Sequence, residues 1–148
     1  MAAVKADVFR RILAFLIDAA VASALSLVVG VLLPPLSLLA AVLYMTFKDA
    51  IMFLLTKQDA WRNKSVGKRL LDLEIASDHG ATIDLLLSAK RNLPLVAGPL
   101  LQLTFVGDWI ASVVGFLLGA FELFLVLSDG RGRRLGDQWA ETQVLPAR

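Results

Sequence analysis

Four ionisable residues, Asp18, Lys48, Asp49 and Glu122, stand inside stretches of sequence apolar enough to lie in a lipid bilayer. A charge placed there costs several kcal/mol, about 2.5 to 3.5 on insertion scales, so each must be paired, neutralised or put to use. Three carboxylates against one ammonium leave two negative charges, which protons, a cation or nearby arginines have to offset. The chemistry such a set can do is to bind and release a proton or a monovalent cation, with Lys48 setting the affinity of Asp18, Asp49 and Glu122. The alternative is a closed salt-bridge network, centred on Lys48 with Asp18 or Asp49, that only fixes which helix packs on which. Arg11 precedes Asp18 by two helical turns on the same face and is expected to tune it while its head reaches the interface.

The elements that carry these residues read as membrane helices. Of 148 residues, 57% are hydrophobic, against a usual apolar share of about 45 to 50%, and the mean hydropathy is +0.71. Residues 9–33 and 36–56 each exceed the ~20 needed to cross the hydrocarbon. A further apolar region is broken at Gly107 and Asp108 into 93–106 and 109–128, and its first piece would be only ~21 Å long as a helix. The expected fold is an all-α polytopic transmembrane bundle in one domain. It has four spans, or two spans plus a re-entrant hairpin, with a structured amphipathic cytoplasmic loop (57–92) and a cytoplasmic tail (129–148). Measured from Arg10, Lys57 and Gly130, the residues Asp18, Asp49 and Glu122 each lie eight positions in, ~12 Å at helical rise. They are expected to share a layer.

Orientation follows from the basic residues. Lys5, Arg10 and Arg11 precede the first span, seven Lys and Arg from Lys57 to Arg91 separate the second from the third, and Arg131, Arg133, Arg134 and Arg148 follow the last. The connections near residues 34–36 and 106–108 hold none, so the bias of basic loops toward the cytoplasm puts both termini inside and makes the number of crossings even. The pI of about 9.2 then reflects segments that meet anionic lipid head groups. No basic patch is interleaved with stacking aromatics, which argues against nucleic acid. A cleaved signal peptide fits poorly, because the first apolar run is long, carries Asp18 and ends at Pro34 and Pro35 without a small-residue cleavage pattern.

The remaining motifs are structural or weak. Pro94, Gly98 and Pro99 interrupt the third segment, either as a kink that accommodates a neighbouring helix or as opened backbone lining a wet path. Ala111, Gly115 and Gly119 form a strip of small residues for close helix packing, within the chain or between chains. In the loop, Val66, Leu70, Leu71, Leu73 and Ile75 shift from helical to alternating spacing before a turn at 77–80, and Thr82 is the expected N-cap of an amphipathic surface helix over 83–90. Gly67 and Lys68 do not make a phosphate loop, since the earlier glycine is missing and Arg69 replaces the hydroxyl residue. Cysteine is absent and His79, the one histidine, sits in a turn, so no enzyme, cofactor or metal site is expected. A chain this small encloses little, and a transport path would need a homo-oligomer.

The stretch from Arg10 to Asp18 resembles the opening motif of the RDD family of small bacterial membrane proteins. Tyr44 with Lys48 and Asp49, the segment Ser65-Val66-Gly67-Lys68-Arg69-Leu70-Leu71, Arg91 and Asn92, then Glu122 and Arg134-Leu135-Gly136-Asp137 with Ala140, Thr142 and Val144, continue the likeness in order. The resemblance implies that Arg11, Asp18 and Asp137 occupy the three naming positions, with Arg10 the other choice for the arginine. It also implies a bacterial inner-membrane location and, for some members, exchange of sodium or other monovalent cations for protons. Glu141 departs from the glycine common in the family. Asp137 is expected near water, tied by a salt bridge to Arg11, Arg91 or Arg134. Two functions stand side by side: a small oligomeric cation–proton exchanger, and a non-catalytic scaffold or accessory subunit that docks a protein through its basic loop.

Overall fold

A computed structural model describes residues 6–104 and 106–147; Lys5 and Arg148 lie outside the described residues. Helix α1 (Val8–Leu32) opens at Asp7, whose carboxylate accepts the Arg10 amide, and gives way at Pro34–Leu36 to a single 3-10 turn. Helix α2 (Ser37–Thr56) follows and ends where Lys57 turns left-handed, at φ 55°. A short helix α3 (Val66–Leu70), capped by Ser65, leads into strand β1 (Leu73–Ser77). The second half repeats this plan with α4 (Leu85–Gln102), α5 (Asp108–Ser128), α6 (Leu135–Trp139) and β2 (Thr142–Pro146). The stretches 8–32, 34–56 and 108–128 are each long and apolar enough to cross a membrane. Exposed Phe9, Leu27, Val31, Leu55, Phe116 and Phe124 show that these helices keep their greasy faces outward, as lipid requires.

The repetition is detailed. One spacing separates Gly67 from Gly136, Asp72 from Glu141 and Ile75 from Val144, and the last pair sits at the centre of the β1–β2 register. Ser65 and Arg134, which precede the two short helices, adopt the same extended backbone, with ψ of 173° in both. Asp72 and Glu141, which precede the two strands, are both left-handed at φ 51°. The sheet thus joins two like halves edge to edge, and α3 packs on α1 as α6 packs on α4.

The antiparallel sheet corrects the all-α expectation. The alternation at Leu73 and Ile75 does form a strand, but its partner is in the distant tail, and a lone strand finds no ladder bonds until the chain closes. Leu73, Ile75 and Val144 then bury with Ala14 and Ile83 under the bundle.

Helix α4 corrects two further expectations. It begins at Leu85, with Asp84 and not Thr82 as its cap, accepting the Leu87 amide at 2.7 Å. It then runs unbroken through Pro94 and Pro99, so the surface helix and the third apolar segment are one element. Each proline removes only one amide donor, and contact with α5 holds the helix together. A Cβ at Gly98 would lie 2.7 Å from the Gly115 Cα and 3.0 Å from the Ala111 carbonyl oxygen. The small strip is therefore used within the chain by Ala111 and Gly115. Gly119 is not part of that contact; nothing lies within 4 Å of the position its Cβ would take.

The left-handed pair yields a stability test. A non-glycine residue at such φ costs ~1 to 2 kcal/mol, less for Asp, whose short side chain tolerates the region. Glu141→Gly is expected to raise the unfolding free energy by about 0.5 to 1 kcal/mol after the flexibility of unfolded glycine is counted. Asp72→Gly should gain less. Thermal unfolding in detergent micelles checks the order of the two.

Candidate functional site

The buried charges assemble at one level of the bundle, at the end nearer the sheet. Asp18 of α1 is fully buried and lies 3.1 Å from Lys48 Nζ of α2. It also accepts the Ser65 hydroxyl at 2.7 Å and the Gly67 amide at 2.8 Å. Asp49 takes Lys68 Nζ at 2.6 Å and Asn92 Nδ2 at 3.0 Å, with Arg91 Nε at 3.8 Å. Asp137 of α6 accepts from Arg91 at 2.7 Å and Arg11 at 2.9 Å, and Arg134 Nε stands 3.4 Å away. Glu122 of α5 accepts the Gly136 amide at 3.2 Å, while its other oxygen is 3.8 Å from Arg134 Nε and has no hydrogen bond among the described residues. Asn92 joins the two ends, since its amide donates to Asp49 and its oxygen accepts Arg134 at 2.7 Å.

The two short helices explain why acids occur in apolar spans. An α-helix leaves its first amides unpaired, and its N-terminus favours negative charge. Asp18 serves the Gly67 amide of α3, and Glu122 serves the Gly136 amide of α6. Both glycines are obligatory: a Cβ at Gly67 would collide with the Ala14 carbonyl oxygen, and one at Gly136 with that of Arg91. Close approach of each short helix to a long one thus delivers Lys68 and Asp137, the residues that follow these glycines, into the interior.

The sequence-derived set converges in part as expected. Asp18, Lys48 and Asp49 are joined directly or through Ser65 and Lys68, and Glu122 connects through Arg134 and Asn92. Three expectations change. The cluster is not short of positive charge, because Arg11, Lys48, Lys68, Arg91 and Arg134 face Asp18, Asp49, Glu122 and Asp137, leaving one net positive charge. Arg11 pairs elsewhere than with Asp18; that carboxylate is met by Lys48, Ser65 and Gly67, and Arg11 turns to Asp137 and the Gly132 carbonyl. Asp137 is not near water but has 0% exposure, because Gly136 lets α6 nest against α4. Arg10, the other choice for the naming arginine, is exposed. His79 is exposed on its turn, where its ring meets Glu141 and its amide donates to the Ser77 hydroxyl.

Electrostatics outside the spans follow from burial and pairing. Burial alone would raise the Asp137 carboxyl, but Arg91, Arg134 and Arg11 outweigh it and hold it at about 2. Burial lowers Lys68 to about 8, with Asp49 opposing that fall. Arg134 is held above its ordinary value by Asp137 and Glu122 despite its own burial. A folded-state value below the unfolded one means that stabilisation by Asp137 is complete above the unfolded value of 3.8 and is lost as pH falls through about 2. Acid titration of the unfolding midpoint is expected to show a decline over that window which Asp137→Asn removes.

Between α1 and α5 lies a half-open cavity of about 570 Å³. Phe15, Leu16, Phe116, Gly119 and Leu123 line it together with Arg11, Asp18, Lys48, Lys68, Arg91, Glu122 and Arg134. The ammonium of Lys48 sits 5.4 Å from the Phe15 ring centre, a cation–π distance. The arrangement can hold charge below the lipid surface and offers an apolar slot beside it.

The expected salt bridge of Asp137 forms with all three candidates, Arg11, Arg91 and Arg134, whereas sequence reasoning marks Lys68 only as a basic loop residue and assigns neither Asn92 nor Ser65 a role in the charged centre. The available signal was the small residue at Gly67 and Gly136 followed by an opposite charge in the two halves, Lys68 and Asp137.

A family model described as the RDD family matches residues 5–141, nearly the whole chain. No curated protein and no solved structure matches it. With three helices among the described residues long and apolar enough to cross a membrane and a match of that extent, the chain is an integral membrane protein and belongs to the RDD family.

Proposed function

We propose that the chain is a non-enzymatic membrane module of the bacterial inner membrane that docks a protein partner through its basic cytoplasmic face. It crosses the bilayer four times, through α1, α2, α4 and α5, with both termini inside. The observation that carries this reading is that Asp18, Asp49 and Asp137 are each satisfied by cations of the same chain. A set with one positive charge to spare is a poor host for a second cation and a good lock between helices. Exposed Arg10, Lys57, Arg62, Lys90 and Arg131 lie at the helix ends next to that lock. They suit anionic head groups and an acidic partner surface.

A second reading has its own observation. Glu122 Oε2, beside the cavity and 3.8 Å from Arg134, accepts no hydrogen bond among the described residues, and it is the oxygen that would take up a proton or a monovalent cation in a small oligomeric exchanger. In that reading Glu122 titrates, while Asp18 and Asp49 hold the frame.

Proteoliposome flux separates the two. The docking reading expects no pH-driven sodium or potassium movement from purified protein, and loss of a crosslinked partner in cells when the five exposed basic residues become glutamine. Flux that disappears in Glu122→Gln overturns it and establishes the exchanger.

A further inference from the structure

We propose that the slot between α1 and α5 is a binding site for an anionic phospholipid, whose acyl chain lies on the apolar walls and whose phosphate meets the arginines at the charged end. This goes beyond docking or exchange and depends on neither.

The first argument is shape and place. The lining runs from Val8 to Asp18 on α1 and from Phe116 to Val126 on α5, ~15 Å along each helix. That is the depth of one leaflet. Leu73 of β1 and Val144 of β2 close the end toward the sheet. Leu16 and Phe116 are 54% and 74% exposed on the sides, so the slot is open to the acyl phase. α2 packs closely on α4 in the middle of the bundle, whereas the cavity occupies the matching place between α1 and α5.

The second argument is charge. Five basic side chains and two acidic ones line the slot, and the whole network sets five cations against four carboxylates, so that Asp137 is shared and one net positive charge is left over.

The third is an unpartnered donor. Arg91 has 0% exposure, yet its Nη1 has no hydrogen bond among the described residues. A buried guanidinium nitrogen without an acceptor is costly. A phosphate oxygen is the acceptor that guanidinium geometry fits best. A single negative charge with a hydrocarbon tail satisfies the donor, the surplus charge and the walls together.

The test is native mass spectrometry of the full chain released from detergent micelles containing equal phosphatidylglycerol and phosphatidylcholine. Retention of phosphatidylglycerol over phosphatidylcholine by about tenfold is expected. Gly119→Leu, which projects into the slot where nothing stands within 4 Å, is expected to cut that retention about tenfold while leaving the unfolding midpoint in pure detergent unchanged. Leu117→Phe, exposed and outside the lining, should keep the lipid. If Gly119→Leu does not fold, Ala120→Leu at the exposed rim of the same lining carries the test.

Equal retention of the two lipids, or retention that ignores the slot variants, overturns the proposal. So does displacement of phosphatidylglycerol by inorganic phosphate alone, which makes the site one for a free anion. A wild-type dimer that becomes monomer in Gly119→Leu with no lipid on either form assigns the slot to a second copy and also overturns it.

Discussion

Asp137→Asn is expected to lower the unfolding free energy by about 3 to 5 kcal/mol, the usual result of stripping one partner from a buried ion pair. The residue has 0% exposure, and the guanidinium groups of Arg11, Arg91 and Arg134 converge on its two oxygens. Asparagine keeps the volume and one acceptor but removes the charge that lets three cations meet away from water. The loss is a penalty of orphaned arginines more than of a missing bond, so Arg11→Gln in the same chain is expected to restore part of it. A double-mutant cycle by chemical unfolding in micelles measures that coupling. A loss below about 1 kcal/mol, in the range of exposed pairs, would mean that Asp137 is not the hub described.

Gly67→Ala and Gly136→Ala should each be nearly as damaging, at about 3 kcal/mol, the upper part of the range for overpacking. In each case the obstacle is a backbone carbonyl, of Ala14 or of Arg91, which cannot rotate aside as a side chain does. Relief requires the short helix to withdraw. Withdrawal of α3 takes Lys68 from Asp49 and the Gly67 amide from Asp18, and withdrawal of α6 takes Asp137 from its arginines. Gly119→Ala, in a helix where a Cβ meets nothing within 4 Å, is expected to cost nothing and is the control. Similar unfolding midpoints for all three variants would refute the close-packing account.

The long helices were legible because lipid imposes a coarse rule. A run of apolar residues has one outcome there, and α1, α2 and α5 end within a few residues of the expected limits. The common level of Asp18, Asp49 and Glu122 was legible for the same reason, since helical rise converts position into depth. Some partners were legible too: Arg11, Arg91 and Arg134 all meet Asp137, and Lys48 meets Asp18. What sequence could not give was the burial of that set and the place of Lys68 in it, because both rest on α3 and α6 folding back at Gly67 and Gly136, whose meaning lies in the backbone they touch. Pro94 and Pro99 left two readings open because proline reports a missing bond and not what packs beside it; the helix continues through both with Gly98 against Gly115, which fits the accommodation of a neighbouring helix and not an opened backbone. The β1–β2 pairing was hidden by distance along the chain.

The position of Asp137 also bears on how such a protein is made. Translation delivers Asp18 and Lys48 early, and that couple can neutralise itself while later segments are still within the ribosome. Arg11, in contrast, pairs with an acid that emerges only after every long helix has been made, and Arg91, though 3.8 Å from Asp49, finds its closest acid in that same late residue. The tail is therefore expected to act as a keystone, with a chain that lacks it left open to membrane proteases through its unmatched arginines. Pulse–chase of a chain stopped at residue 133 is expected to show rapid decay that a separately expressed tail slows; equal lifetimes for the stopped and complete chains would remove that role.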